Sequence, residues 1–126
     1  MICDSSVEEE VTVPGTIIIS PNHPSNYGNN QNCQKKIRFG EGQSVLIKFI
    51  QFDIEYQTSC IWDWVEIRDV PSNSSNQVGS KLCGETIPNP IPSTGNTLTV
   101  IFHSDEAGVR SGFKMKAELG KIHYIR

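Results

Sequence analysis

Apolar residues in this chain recur at every second position, and nowhere at helical spacing. Residues 97–103 set Leu98, Val100 and Phe102 on one side against Thr97, Thr99, Ile101 and His103 on the other. Residues 112–119 likewise set Phe113, Met115, Ala117 and Leu119 against Lys114, Lys116 and Glu118. Period-two alternation is the mark of half-buried strands, and no window shows a helical period with start and stop signals. Residues 16–19 form a short β-branched run, closed by Ser20-Pro21-Asn22-His23-Pro24, which cannot continue a ladder. Residues 35–39 and 44–52 read as strands joined by Gly40-Glu41-Gly42, which predicts a hairpin. A brief strand is expected at 80–83, between polar, proline-bearing loops at 70–79 and 84–96. Many short strands separated by turn signals predict an all-β protein, an antiparallel two-sheet β-sandwich.

The stretch 49–69, FIQFDIEYQTSCIWDWVEIRD, places two strand-like runs on either side of a short polar joint. Phe49, Phe52 and Ile54 lead in; Trp62, Trp64, Val65 and Ile67 lead out, aromatic and β-branched as strands prefer. Glu55 ends one run and Asp63 starts the next, so the two carboxylates can converge across the joint. Carboxylates held close repel and call for a cation or a proton between them. Asp53 reads as a framework or turn residue and Asp69 as the start of the polar loop. Trp62 and Trp64, two positions apart, are expected on one side of the strand in core or partly buried packing.

With 126 residues the chain forms one domain with room for a sizeable core. We expect the domain to span 1–119 and residues 120–126 to be a tail or connector. The net charge of −3 and a single adjacent basic pair, Lys35-Lys36, argue against nucleic acid. No apolar run approaches the ~20 residues of a membrane span. The chain opens Met-Ile-Cys without a charged and apolar leader, so any secretory signal is expected to have been removed. Cys3, Cys33, Cys60 and Cys83 are dispersed with no C-x-x-C pair, which favours two disulfides and a secreted, extracellular protein over a zinc site. Spacing alone leaves all three pairings open. The triplet Asn73-Ser74-Ser75 is a glycosylation acceptor sequence and points the same way.

Several fragments in order resemble one family. Gly15-x-Ile17, Ser20-Pro21-x-x-Pro24-x-x-Tyr27 and Cys33 are similar to the opening of a CUB domain. Phe52-Asp53-Ile54-Glu55 and Cys60-x-x-Asp63-x-Val65-x-Ile67-x-Asp69 resemble its middle. Leu82-Cys83-Gly84, Phe102-x-Ser104-Asp105 and Gly112-Phe113 resemble its end. The resemblance covers residues 3–119 and departs from the family's usual pattern at Asp4 and His23. It implies a jelly-roll-like sandwich with disulfides Cys3–Cys33 and Cys60–Cys83, set beside neighbouring modules in a larger secreted protein. It also implies a calcium site in which Glu55, Asp63 and Asp105 are ligands, and we place a backbone carbonyl ligand in the loop 106–109, at Gly108. Calcium wants six to eight oxygens, so carbonyls and water complete such a shell. In calcium-binding members the ordered acidic rim captures a lysine or arginine of a partner protein. Tyr56 and Ser104, next to the ligands, are candidate partner contacts.

Catalysis finds little footing. His23, His103 and His123 stand far apart, with no H-E-x-x-H or G-x-S-x-G motif. Glu55 with Asp63 could be drawn as a glycosidase pair, but a third acid favours a metal. The expectation is a non-enzymatic, calcium-dependent protein-interaction module. The alternative is a lectin resembling the spermadhesins, which bind carbohydrate or egg-coat glycoprotein and generally lack the acidic triplet.

Overall fold

A computed structural model describes residues 2–3, 10–69 and 81–122. The described residues contain no helix. Seven strands are present: β1 (Thr16–Ile19), β2 (Asn32–Arg38), β3 (Gln43–Asp53), β4 (Trp64–Arg68), β5 (Ile91–Pro92), β6 (Thr97–His103) and β7 (Gly112–Ile122). They form a four-stranded sheet, β1-β7-β3-β5, and a three-stranded sheet, β2-β6-β4. All strand pairs are antiparallel. The two sheets close over one core, to which alternate residues of each strand contribute: Val45 and Ile47 from β3, Val65 and Ile67 from β4, Leu98, Val100 and Phe102 from β6, Phe113, Met115 and Ala117 from β7. The sandwich expected from the alternation is therefore the fold observed.

Four local expectations are corrected. The run after Cys33 and the run around Phe49 do not pair as a hairpin, because Gly40-Glu41-Gly42 carries the chain from one sheet to the other. β2 pairs with β6 and β3 with β7, so each strand meets a partner distant in sequence. At 81–83 there is no strand, only an isolated bridge of Leu82 to Val65, followed by one of Gly84 to Ile54. Within the loop predicted at 84–96, Ile91–Pro92 pairs with Leu46 and Ile47 at the sheet's margin, where proline is tolerated. β7 runs on past Leu119 to Ile122, paired with Gln43.

β3 carries a register shift between Phe49 and Gln51. A strict alternation would send Phe52 outward after Phe49. The extra residue, Ile50, is exposed and resets the phase, so Phe52 and Ile54 both turn inward. Phe49 and Phe52 then meet edge to face at 5.6 Å.

Disulfides join Cys3 to Cys33 and Cys60 to Cys83, the pairing implied by the family resemblance, with Cα separations of 5.0 and 5.6 Å. Asn73 and His123 lie outside the described residues.

Candidate metal centre

Antiparallel pairing brings several strand termini to one end of the sandwich. Trp64, first in β4, pairs with His103, last in β6, which also pairs with Asn32, first in β2. Asp53, last in β3, pairs with Gly112, first in β7. The segments between these termini carry Tyr27, Glu55, Asp63 and Asp105. Carboxylate oxygens of Glu55, Asp63 and Asp105 lie within 4.8 Å of one another.

The rim is tied together by hydrogen bonds centred on Asp63, which is 0% exposed. The Tyr27 hydroxyl donates to Asp63 Oδ2 at 2.6 Å and accepts the Glu55 N–H at 3.1 Å. Asp63 Oδ1 accepts the Asp105 N–H at 2.9 Å. Tyr27 is buried against Phe102, ring centroids 5.0 Å apart. Burial first, and then Asp63, hold its hydroxyl well above the ordinary tyrosine range, so it remains a donor. The segment 82–84 fixes the other side. Leu82 bridges to Val65, Gly84 bridges to Ile54, and Cys83 is bonded to Cys60. One short segment thus anchors the neighbours of both Glu55 and Asp63.

The donor set fits a hard cation. All three side chains offer oxygen, which suits calcium or magnesium rather than zinc. Glu55 Oε1 is buried without a hydrogen-bond partner. Burial, then repulsion from Asp63 and Asp105, raises the Glu55 carboxyl above its usual range, while Arg110 pulls it down. Asp63 is raised as well, by burial above all, against the hydrogen bonds from Tyr27 and the Asp105 amide. A divalent ion among these groups relieves both burdens. Gly108 sits beside Glu55 with φ +86°, and a Cβ there would collide with the Glu55 carboxylate. A side chain there would be strained by the backbone angle and would push the Glu55 carboxylate aside.

Other candidates fall into different roles. Ser104 is 1% exposed; its hydroxyl donates to Gly28 O at 2.7 Å and accepts the Gln31 N–H at 2.9 Å. It is therefore no surface contact for a partner, and instead fastens the 28–31 segment to the end of β6. Tyr56 is 64% exposed and accessible. Trp64 is half-buried and stacks on His103, whereas Trp62 precedes β4 and is 46% exposed, so the two do not share a strand face. Asp53 accepts from Ser111 Oγ, and Asp69 from the Thr94 N–H, both as framework groups. Tyr27, read from sequence only as a family framework position, is the hub of the rim.

Comparison with known proteins settles the family. The CUB domain family model matches residues 3–116. This chain is a CUB domain. The human "Tumor necrosis factor-inducible gene 6 protein" is 39% identical over 105 residues, which is 83% of this CUB domain and 38% of that protein. Human "Tolloid-like protein 1" is 33% identical over 111 residues, 88% of this chain but 11% of that protein. The CUB domain thus spans well under half the length of these relatives. Among solved structures, the full extracellular region of zebrafish Gpr126/Adgrg6 aligns with TM-score 0.80 and 28% identity, covering 94% of this chain and 15% of that one. The second CUB domain of MASP-1, solved bound to Ca2+, aligns with TM-score 0.75 and 29% identity over 86% of this chain and 95% of that one.

Proposed function

We propose that this CUB domain is an extracellular, calcium-dependent protein-interaction module, one unit of a longer secreted chain. The observation that carries the reading is the buried Glu55 oxygen left without a partner inside a cluster of three carboxylates. A calcium-bound structure of 29% identity, aligned over 86% of the chain, supports the choice of ion. Glu55, Asp63 and Asp105 supply the side-chain oxygens, and the loop 106–109 supplies a carbonyl at Gly108. Tyr27 holds Asp63 in place and keeps the Glu55 backbone at a fixed height beside it.

Bound calcium supplies charge balance and order to these loops. Three carboxylates and one divalent ion leave a net charge of about −1, since the ion offsets two of the three. A rigid rim of that sign suits a lysine or arginine of a partner protein, whose charge-assisted hydrogen bonds run about twice the neutral strength. Tyr56, exposed beside Glu55, is the adjoining contact. The same geometry disfavours catalysis: Asp63 is fully buried, and the acids crowd together rather than flanking a cleft. It also favours this reading over the lectin-type alternative, which has no use for an acidic triplet.

Thermal unfolding with calcium titration tests the proposal. Extracellular modules bind calcium at about 0.1–1 mM. At tenfold excess over the dissociation constant, linkage adds about 1.4 kcal/mol, or roughly 4–6 °C for a domain of this size. Glu55→Gln is expected to abolish the shift while the ion-free domain still folds. An unchanged melting temperature in millimolar calcium would remove the reading.

A further inference from the structure

Capture of a basic side chain does not account for the outer surface of the loop that joins two of the carboxylates. Residues 56–62 leave Glu55 and return at Asp63, whose carboxylate oxygens lie within 4.8 Å. At ~3.3–3.6 Å per residue, a closed loop of this length reaches no more than about 12 Å from its base. On it Tyr56 is 64% exposed, Ile61 60% and Trp62 46%. Single exposed apolar residues are ordinary, but these three stand together on a loop whose two ends are the acidic centre.

The loop is also stiff. Gln57 Oε1 accepts the Ser59 and Ile61 N–H groups at 2.7 and 3.2 Å, and Gln57 O accepts the Cys60 N–H at 2.8 Å. The Cys60–Cys83 disulfide anchors its middle. Apolar side chains held outward by a stiff support lose little freedom on docking, and tryptophan and tyrosine are frequent anchors of interfaces.

Resting on the calcium-dependent reading above, we propose that Tyr56, Ile61 and Trp62 form an apolar collar that selects, among basic side chains, those flanked by a bulky apolar residue on an extended protein segment. The occupant is set by charge and reach together. The centre keeps a net negative charge that a neutral ligand cannot meet, and a side chain one to three residues from the captured lysine falls over the loop. A lysine in a fully polar tail satisfies the centre and leaves the collar wet.

Two immobilised probe peptides test this, Gly-Gly-Lys-Gly-Gly and Gly-Phe-Lys-Phe-Gly, with Gly-Phe-Gly-Phe-Gly as a lysine-free control. In calcium at about 2 mM, above the usual affinity of extracellular modules, the phenylalanine-flanked lysine is expected to bind about tenfold tighter, or about 1.4 kcal/mol. The double variant Ile61→Ser, Trp62→Ser should lose that preference while keeping its calcium-induced rise in melting temperature and its binding of the glycine-flanked lysine. Equal binding of the two lysine peptides, or a preference that survives in the variant, overturns the collar. So does calcium-independent binding of the lysine-free control, or displacement of the lysine peptide by a neutral glycan. A calcium shift with no lysine binding also overturns it, whereas absence of any calcium shift removes the proposed function itself.

Discussion

A single hydroxyl, that of Tyr27, joins a carboxylate on one loop to a backbone amide on another. Tyr27→Phe keeps the ring packing on Phe102 and removes both bonds. Losing a hydrogen bond to a charged, buried acceptor costs about 1.5–3 kcal/mol, and urea unfolding should show a loss of that order together with weaker calcium binding. Gly108→Ala should act differently: the new methyl group displaces the Glu55 carboxylate, so calcium titration should show little or no shift in a domain that still melts cooperatively. Acidity offers a further check. Glu55 and Asp63 are raised in the fold, so the ion-free domain binds more protons at these sites than its unfolded chain does. Their contribution to stability therefore falls as pH rises from the ordinary carboxylate range through their folded values. In chelator, these two groups should favour stability as pH falls toward the ordinary carboxylate range, and the calcium-induced shift should shrink there because the ligands must be ionised.

The strands were largely legible because their signal is local. Alternation in 97–103 and 112–119 marks which residues face inward without any knowledge of partners. Pairing was not legible in the same way. Gly40-Glu41-Gly42 has the composition of a tight turn, yet whether such a turn reverses the chain within a sheet or lifts it to the opposite one depends on where β6 and β7 lie. The segment 82–84 was legible only in part: the family resemblance marked Leu82-Cys83-Gly84 and the Cys60–Cys83 link, but not the two bridges, to Val65 and Ile54, that tie it to both sheets. Replacing Cys60 and Cys83 together by serine should cost about 3–4 kcal/mol for a closed loop with a separation of 23 residues. Because that link also spaces Glu55 from Asp63, calcium binding should weaken by more than the global loss predicts, which calorimetry at a temperature well below unfolding would show.

Across the molecule, the acidic centre was visible as carboxylates at strand ends, and the family resemblance added Asp105 to the pair that spacing suggested. Tyr27 and Ser104 were misjudged for one reason: their roles are contacts between segments far apart in sequence. Ser104 follows an alternating strand and looks like a surface hydroxyl until the 28–31 segment closes over it. A lone basic contact is weak, so useful affinity in the proposed role calls for repeated modules acting at high effective concentration.

Ile50 has a consequence that reaches beyond its own position. As the supernumerary residue of β3, it marks the kink from which every position up to the rim is counted. Removing Ile50 itself would only restore plain alternation, with Phe49, Gln51 and Phe52 still opposite Met115, Lys114 and Phe113. Deleting Asp53, past the kink, would instead exchange the places of Ile54 and Glu55, sending an acid toward the oily interior and a branched hydrocarbon to the cation. Length between that kink and the first ligand is thus kept by count, not by chemistry, and a change of one residue there should silence the centre more thoroughly than many substitutions within it.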